Sequence, residues 1–293
     1  MKRAGFAAGV SASPVRRLAD VGGERLASRS SAAVSSAVLV VASLLGLAAF
    51  FYPFFLPMAP ESGLIAHAND APLLTITLLG LCLVAVFTSM TGQQMTSKLV
   101  AVLGVLTAAN AVLRAVPGPA GFNAIFVLPI LTGFCYGPTF GFLLGVLSLL
   151  VSALIGGGVG PWLPYQMFTT GWMGLLSGWL PQLARHRRWE PLMLAVWGGL
   201  LGLFFGAIMN IWFWPFLIGG AAGPALSDPE NTTWRPGMAV WTTLRNYLVF
   251  YMATSLWWDI ARAAGNSLLI LLFGAPILRV LRRFRRRFRF EIV

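Results

Sequence analysis

Long apolar runs recur along this chain and constrain its fold more than any other feature. A bilayer core about 30 Å thick is crossed by a helix of about 20 mainly apolar residues, and such runs follow one another from residue 34 to residue 280. Hydrophobic residues make up 57% of the chain and charged residues 10%, whereas a soluble domain carries about 25% charged residues. The sequence therefore predicts an all-α polytopic membrane protein.

Proline, glycine and charged residues divide the apolar sequence into separate runs. The runs are 34–56, 72–90, 97–116, 122–135, 138–156, 164–183, 192–218 and 240–280. The last run is too long for one crossing at about 1.5 Å rise per residue, so we expect an interfacial or re-entrant piece over 240–258 and a final crossing over 259–282. About eight transmembrane helices result from this division.

Basic residues are distributed unevenly between the predicted loops. Most of the 21 Lys and Arg residues lie in residues 1–33, in residues 279–293, or in the loops 91–98 and 184–191. Lys and Arg accumulate in cytoplasmic loops, so we expect a multi-pass plasma-membrane protein with both termini in the cytoplasm. This bias, with attraction to the anionic lipid bilayer, explains the net charge of +12 without nucleic acid as a partner.

Residue types that carry enzyme chemistry are scarce. The sequence has no phosphate-binding Gly-x-x-x-x-Gly-Lys-Ser/Thr motif, which excludes ATP hydrolysis by that route. His67 and His186 fall in loops on opposite sides of the predicted membrane, and Cys82 and Cys135 lie inside apolar runs. Because neither pair has metal-ligand spacing, we expect no catalytic residues, no metal and no cofactor, and hence no enzyme.

Polar side chains inside the apolar runs are the candidates for a binding site. Asp259, Arg262 and Asn266 recur at i, i+3 and i+7 and therefore share one helix face. An ionisable group at membrane depth is costly and is a functional candidate by default; the alternative is an ion pair at the outer interface that reaches the lipid head groups. Gln166, beside Tyr165, and Asn210 lie near the outer ends of their crossings, where a ligand can enter.

From about Lys98 onward the chain resembles the substrate-binding S component of energy-coupling factor (ECF) vitamin transporters. The segment 123–145 carries the resemblance most clearly, with the pattern aromatic-Gly-Pro-x-x-Gly-x-x-x-Gly at 136–145 between a short and a longer apolar helix. The resemblance implies a six-helix core preceded here by two extra helices. We accordingly divide the chain into a disordered basic cytoplasmic tail (1–33), two N-terminal transmembrane helices (34–95), the substrate-binding membrane core (96–284) and a basic cytoplasmic tail (285–293).

The resemblance also implies a division of labour. An S component captures a vitamin or vitamin precursor from outside, such as a cobalamin building block, and delivers it through a T component and an ATPase pair. The expected substrate contacts are Asn123, Tyr165, Gln166, Asn210, Trp258, Asp259, Arg262 and Asn266. The residues expected to pack on the T component are Gly104, Ala108 and Ala111, because small residues let helices approach closely.

Three other functions compete with this interpretation, and two of them, a secondary transporter and a scaffold subunit, remain open on the sequence. A stand-alone secondary transporter normally shows an internal repeat and intramembrane acids, and the chain shows no clear repeat and one such acid, Asp259. A membrane enzyme acting on lipid needs clusters of His, Asp or Glu near one interface, and the sequence shows none. A non-catalytic scaffold subunit needs only the small-residue packing that Gly198, Gly202 and Gly206 also provide.

Overall fold

The structure of the protein is a computed structural model. It describes residues 14–55, 67–91, 95–115, 118–119, 122–181, 187–217 and 232–288, with side-chain burial from residue 33 to residue 287.

The described residues form an all-α membrane protein of nine helices. They are α1 (Pro14–Phe51), α2 (Ala71–Thr91), α3 (Ser97–Leu113), α4 (Val127–Tyr136), α5 (Pro138–Ser152), α6 (Leu163–Gly178), α7 (Glu190–Phe213), α8 (Val240–Thr254) and α9 (Leu256–Phe288). Five helical segments of this part of the chain are long and apolar enough to cross a membrane. They comprise α2, α5, α7, the second half of α1 and nearly all of α9. Helices α3 and α4 are shorter apolar helices. The prediction of a polytopic helical membrane protein is confirmed.

The centre of the bundle is built on close contact between α5 and α6. A β-carbon on Gly145 would lie 2.5 Å from the Thr170 carbonyl oxygen, and one on Gly141 would overlap the backbone of Gly174. Only glycine permits this spacing, since real β-carbons do not approach backbone atoms so closely. The four-residue spacing of Gly141 and Gly145 thus serves helix packing inside the chain.

The two N-terminal helices pair with each other and pack on α6. Ser35 and Ser89 share a buried hydrogen bond of 3.1 Å between α1 and α2. A β-carbon on Gly46 would lie 2.7 Å from the rings of Phe168 and Trp172 on α6. Helix α1 begins at Pro14, and residues 1–13 lie outside the described residues. The division of the chain into a tail, two leading helices and a core stays a prediction.

The last predicted apolar run is divided at Ser255, between α8 and α9. Helix α8 buries Asn246 and Phe250 and leaves Trp241, Leu244 and Leu248 exposed. The break lies a few residues before the predicted one. At the break, the Ser255 hydroxyl donates a hydrogen bond of 2.8 Å to the side-chain oxygen of Asn210 on α7.

The bundle has two ends with different chemistry. We call the end where Tyr52, His67, Tyr165 and Trp212 meet the histidine end. We call the opposite end, where Cys135, Glu190, Arg282 and Arg285 meet, the arginine end.

Candidate functional site

A polar cavity lies between α6, α7 and α9 near the histidine end. Its volume is about 280 Å³. Its lining includes five of the eight predicted substrate contacts: Gln166, Asn210, Trp258, Asp259 and Arg262. The structure therefore brings together residues from three helices that the sequence singled out separately. We call this space the polar cavity.

An ion pair forms one wall of the polar cavity. The Arg262 guanidinium donates to the Asp259 carboxylate one helical turn earlier on α9. The Asp259 side chain is 3% exposed and the Arg262 side chain 20% exposed. The guanidinium also lies 5.0 Å from the centre of the Phe205 ring, a cation–π distance. The pair thus neutralises its own charge inside the bundle, as the i, i+3 spacing predicted.

One oxygen of the Asp259 carboxylate is buried without a hydrogen bond from the described part of the chain. Its Oδ2 accepts no hydrogen bond from the described residues, although it is buried. Gly206 on α7 lies against this carboxylate, and a β-carbon at position 206 would overlap it. A buried carboxylate oxygen without a donor is energetically costly, and Gly206 packs against this oxygen without donating to it.

Gln166 connects the polar cavity to a charged residue that the sequence analysis missed. The Arg114 Nη2 donates a hydrogen bond of 3.0 Å to the Gln166 side-chain oxygen. Its Nη1 lies 3.4 Å from the Ser152 hydroxyl. Because Arg114 orients the amide, the Gln166 NH₂ group is left to donate toward the cavity. The signal was present in the sequence, since Arg114 lies inside the apolar run 97–116.

Asn210 and Trp258 complete the wall near the helix break. The Asn210 Nδ2 donates to the Gly206 carbonyl at 2.9 Å, and its oxygen accepts from Ser255. Trp258 is 56% exposed and lies at the rim of the cavity. The cavity therefore has a fixed polar wall and an exposed aromatic edge.

Three predicted contacts lie outside the lining of the polar cavity. Tyr165 points away from it, toward His67. Asn266 is fully buried between helices and donates to the Gly198 carbonyl on α7 at 3.2 Å. Asn123 precedes the short turn that leads into α4, and its buried oxygen has no hydrogen bond from the described residues. The roles of these three residues as substrate contacts stay predictions.

The predicted T-component face of α3 is only partly exposed. Gly104 and Ala108 are exposed, and a β-carbon on Gly104 would meet no atom within 4 Å. Ala111 is 2% exposed and so cannot belong to an open face, because it points toward the core of the bundle. Of the three predicted docking residues, the structure therefore exposes only Gly104 and Ala108, and their role in docking stays a prediction.

A second polar cluster at the histidine end was not predicted. His67 Nε2 lies 2.9 Å from the Trp212 carbonyl oxygen, and its Nδ1 lies 2.8 Å from the Asp70 carboxylate. Tyr52 and Tyr165 donate to the same carboxylate at 2.7 and 3.1 Å. Partial burial acts to raise the pKa of Asp70, but hydrogen bonds from His67, Tyr52 and Tyr165 outweigh it and hold the pKa below its ordinary value. This cluster fastens the turn before α2 to α6 and α7.

Comparison with known proteins gave one informative match. Residues 98–274, more than half of the chain, match a family model described as "ECF transporter, substrate-specific component". No curated protein and no solved structure matched the chain. The matched region begins at the start of α3 and ends within α9, and it contains every residue of the polar cavity.

Proposed function

Because the chain belongs to the family of ECF transporter substrate-specific components, we propose that the polar cavity captures a vitamin or a vitamin precursor for import. The family makes the chain a membrane transport subunit. Its T component and ATPase pair are the partners that we propose for the energy-dependent steps. The two N-terminal helices are an addition to the matched region.

The observation that carries this proposal is the composition of the cavity wall. Aromatic rings from Trp162, Phe205, Trp212 and Phe213 surround the polar groups of Gln166, Asn210 and Asp259. Small-molecule sites are typically apolar and aromatic concavities with a few polar groups that fix orientation. A volume of about 280 Å³ accommodates a small molecule, and the rings supply flat surfaces for a heterocycle.

The direction of capture rests on charge. Arginines gather at one end of the bundle and the polar cavity lies toward the other. Because basic residues accumulate on the cytoplasmic side of membrane proteins, we propose that the arginine end and both termini are cytoplasmic. The polar cavity then opens to the outside, where an importer meets its substrate.

A binding measurement on the purified full chain tests the proposal. Titration with a panel of vitamins and their heterocyclic precursors should identify one specific ligand. Gln166→Ala should weaken the binding of that ligand by about tenfold or more, because a hydrogen bond in a buried site contributes about 1–2 kcal/mol. Thr88→Ala is the control, since Thr88 is half-buried on α2, lies outside the polar cavity and bonds only to its own helix.

Two results would contradict the proposal. One is a chain that is folded by thermal unfolding yet binds no member of the panel. The other is substrate uptake into liposomes by this chain alone, driven by an ion gradient, which would identify a secondary transporter. Co-purification with an ATPase pair and a T component would support the proposed partners directly.

A further inference from the structure

A second and larger cavity lies at the arginine end, between the start of α7 and the last turns of α9. Its volume is about 520 Å³. Seven arginines and a single acid, Glu190, contribute to its lining. We call it the basic cavity. It is separate from the polar cavity and shares no residue with it.

Most of the charge in the basic cavity has no internal partner. The Arg282 Nη2 donates to the Glu190 carboxylate at 2.5 Å, and Glu190 is 1% exposed. In the described part of the chain, Arg279, Arg283 and Arg286 form neither an ion pair nor a hydrogen bond. Arg279 and Arg283 are four residues apart on α9, as are Arg282 and Arg286. Like charges at this spacing destabilise a helix, so an external anion would stabilise this one.

The depth of the basic cavity points to the membrane surface. Its wall also includes the apolar residues Ala275 and Leu278 of α9 and Pro191 of α7, which belong to the membrane-crossing segments. Trp179 and Trp189 are 67% and 51% exposed at the same end of the bundle. Exposed tryptophans gather at the level of the lipid head groups. The cavity therefore joins an apolar wall to a cationic mouth at that level.

We propose that the basic cavity binds the phosphate head group of an anionic phospholipid. The planar guanidinium groups of Arg283 and Arg286 suit the oxygen atoms of a phosphate, which they bind through paired N–H donors. The apolar wall at Ala275 and Leu278 continues along α9 as a surface for the first part of an acyl chain. A soluble anion gains nothing from that wall, whereas a lipid uses both parts.

Binding of defined lipids to the full chain in detergent tests this proposal. The probes are phosphatidylglycerol, phosphatidylcholine and inorganic phosphate, measured by native mass spectrometry and by the shift of the thermal unfolding temperature. Phosphatidylglycerol should stay bound and raise the unfolding temperature, while phosphatidylcholine and inorganic phosphate should do neither. A ligand that binds only the folded state stabilises it in proportion to its occupancy.

A pair of charge-matched variants decides whether the cavity is responsible. Arg283→Gln with Arg286→Gln should weaken phosphatidylglycerol binding at least tenfold. Arg235→Gln with Arg245→Gln removes the same charge outside the basic cavity, from exposed residues in and before α8, and should leave binding unchanged. Arg279→Gln alone is the milder variant if the double one fails to fold, and it should weaken binding less.

Three different results would contradict lipid binding at the basic cavity. Equal weakening by both double variants would mean that only net charge attracts the lipid. An equal temperature shift from inorganic phosphate would identify a soluble anion as the ligand. Unchanged lipid binding in the Arg283/Arg286 variant, with loss of T-component capture, would make the cavity a protein interface. None of these results affects ligand binding at Gln166, so the two proposals fail separately.

Discussion

Helix α9 carries arginines into two cavities, and the two cavities leave them in different electrostatic states. In the polar cavity, Arg262 is paired with Asp259 and lies over the Phe205 ring. In the basic cavity, Arg283 and Arg286 are exposed and have no ion-pair partner among the described residues. A site that neutralises its own charge selects a ligand by shape and hydrogen bonding. A site that leaves its charge open selects an anion first.

The largest expected effect on stability is at Arg262, the paired arginine. Arg262→Met leaves the Asp259 carboxylate buried without its counter-charge, which should lower the free energy of unfolding by about 3–5 kcal/mol. Arg283→Met should change it by no more than about 0.5 kcal/mol, as is usual for surface positions. Both free cysteines, Cys82 and Cys135, are buried, so a thiol-reactive dye can follow unfolding during heating.

A second substitution separates the lost pairing from a general loss of packing. Asp259→Asn added to Arg262→Met removes the unpaired charge and should recover a large part of the stability. Equal unfolding temperatures for Arg262→Met and Arg283→Met would show that the two arginines do not differ as described.

A smaller effect is expected where α7 touches the ion pair. Gly206→Ala places a methyl group against the Asp259 carboxylate and should cost about 1–3 kcal/mol by overpacking, with weaker substrate binding. Gly104→Ala is the control, because nothing lies within 4 Å of its β-carbon and alanine favours the helix by up to about 1 kcal/mol. The same dye assay measures both, and a Gly206→Ala chain as stable as Gly104→Ala would contradict the tight contact.

The smallest effect concerns Asp70, a partly buried acid whose side chain is 29% exposed. Its pKa is lower in the folded chain than the ordinary value of 3.8. The stability it contributes is therefore complete above that value and is lost as the pH falls through the folded pKa. Tryptophan fluorescence during heating between pH 6 and about pH 3 should show a smaller acid-induced drop for Asp70→Asn than for the unchanged chain. An identical drop in both would show that Asp70 does not contribute to the loss of stability in acid.

Part of the polar cavity could be predicted from the sequence, because the spacing of residues along one helix determines which of them share a face. Asp259 and Arg262 share a face at i, i+3, and the structure pairs them. Each helical residue turns the chain by about 100°, so adjacent side chains can point to different neighbours. Gln166 lines the cavity, whereas Tyr165 faces His67. The role of these residues as substrate contacts remains a prediction.

What the sequence could not predict depends on contacts between distant segments. His67 meets Tyr165, 98 residues away, and the Trp212 carbonyl, 145 residues away. Arg114 meets Gln166 across 52 residues. Such contacts arise from helix packing, which periodicity within one run does not describe. Even so, Arg114 carried a local signal, since a charge within an apolar run is rarely placed there without a partner.

The contact of Gly46 with Phe168 and Trp172 bears on how such a subunit can be shortened or assembled. The family match begins at residue 98, which suggests cutting the chain there to obtain a minimal carrier. That cut would expose both rings on α6 and remove the donor that His67 provides to the Trp212 carbonyl. The smallest independently stable unit should therefore include α1 and α2. The leading helix pair covers one side of α6, whereas the Gly104 side of α3 stays exposed.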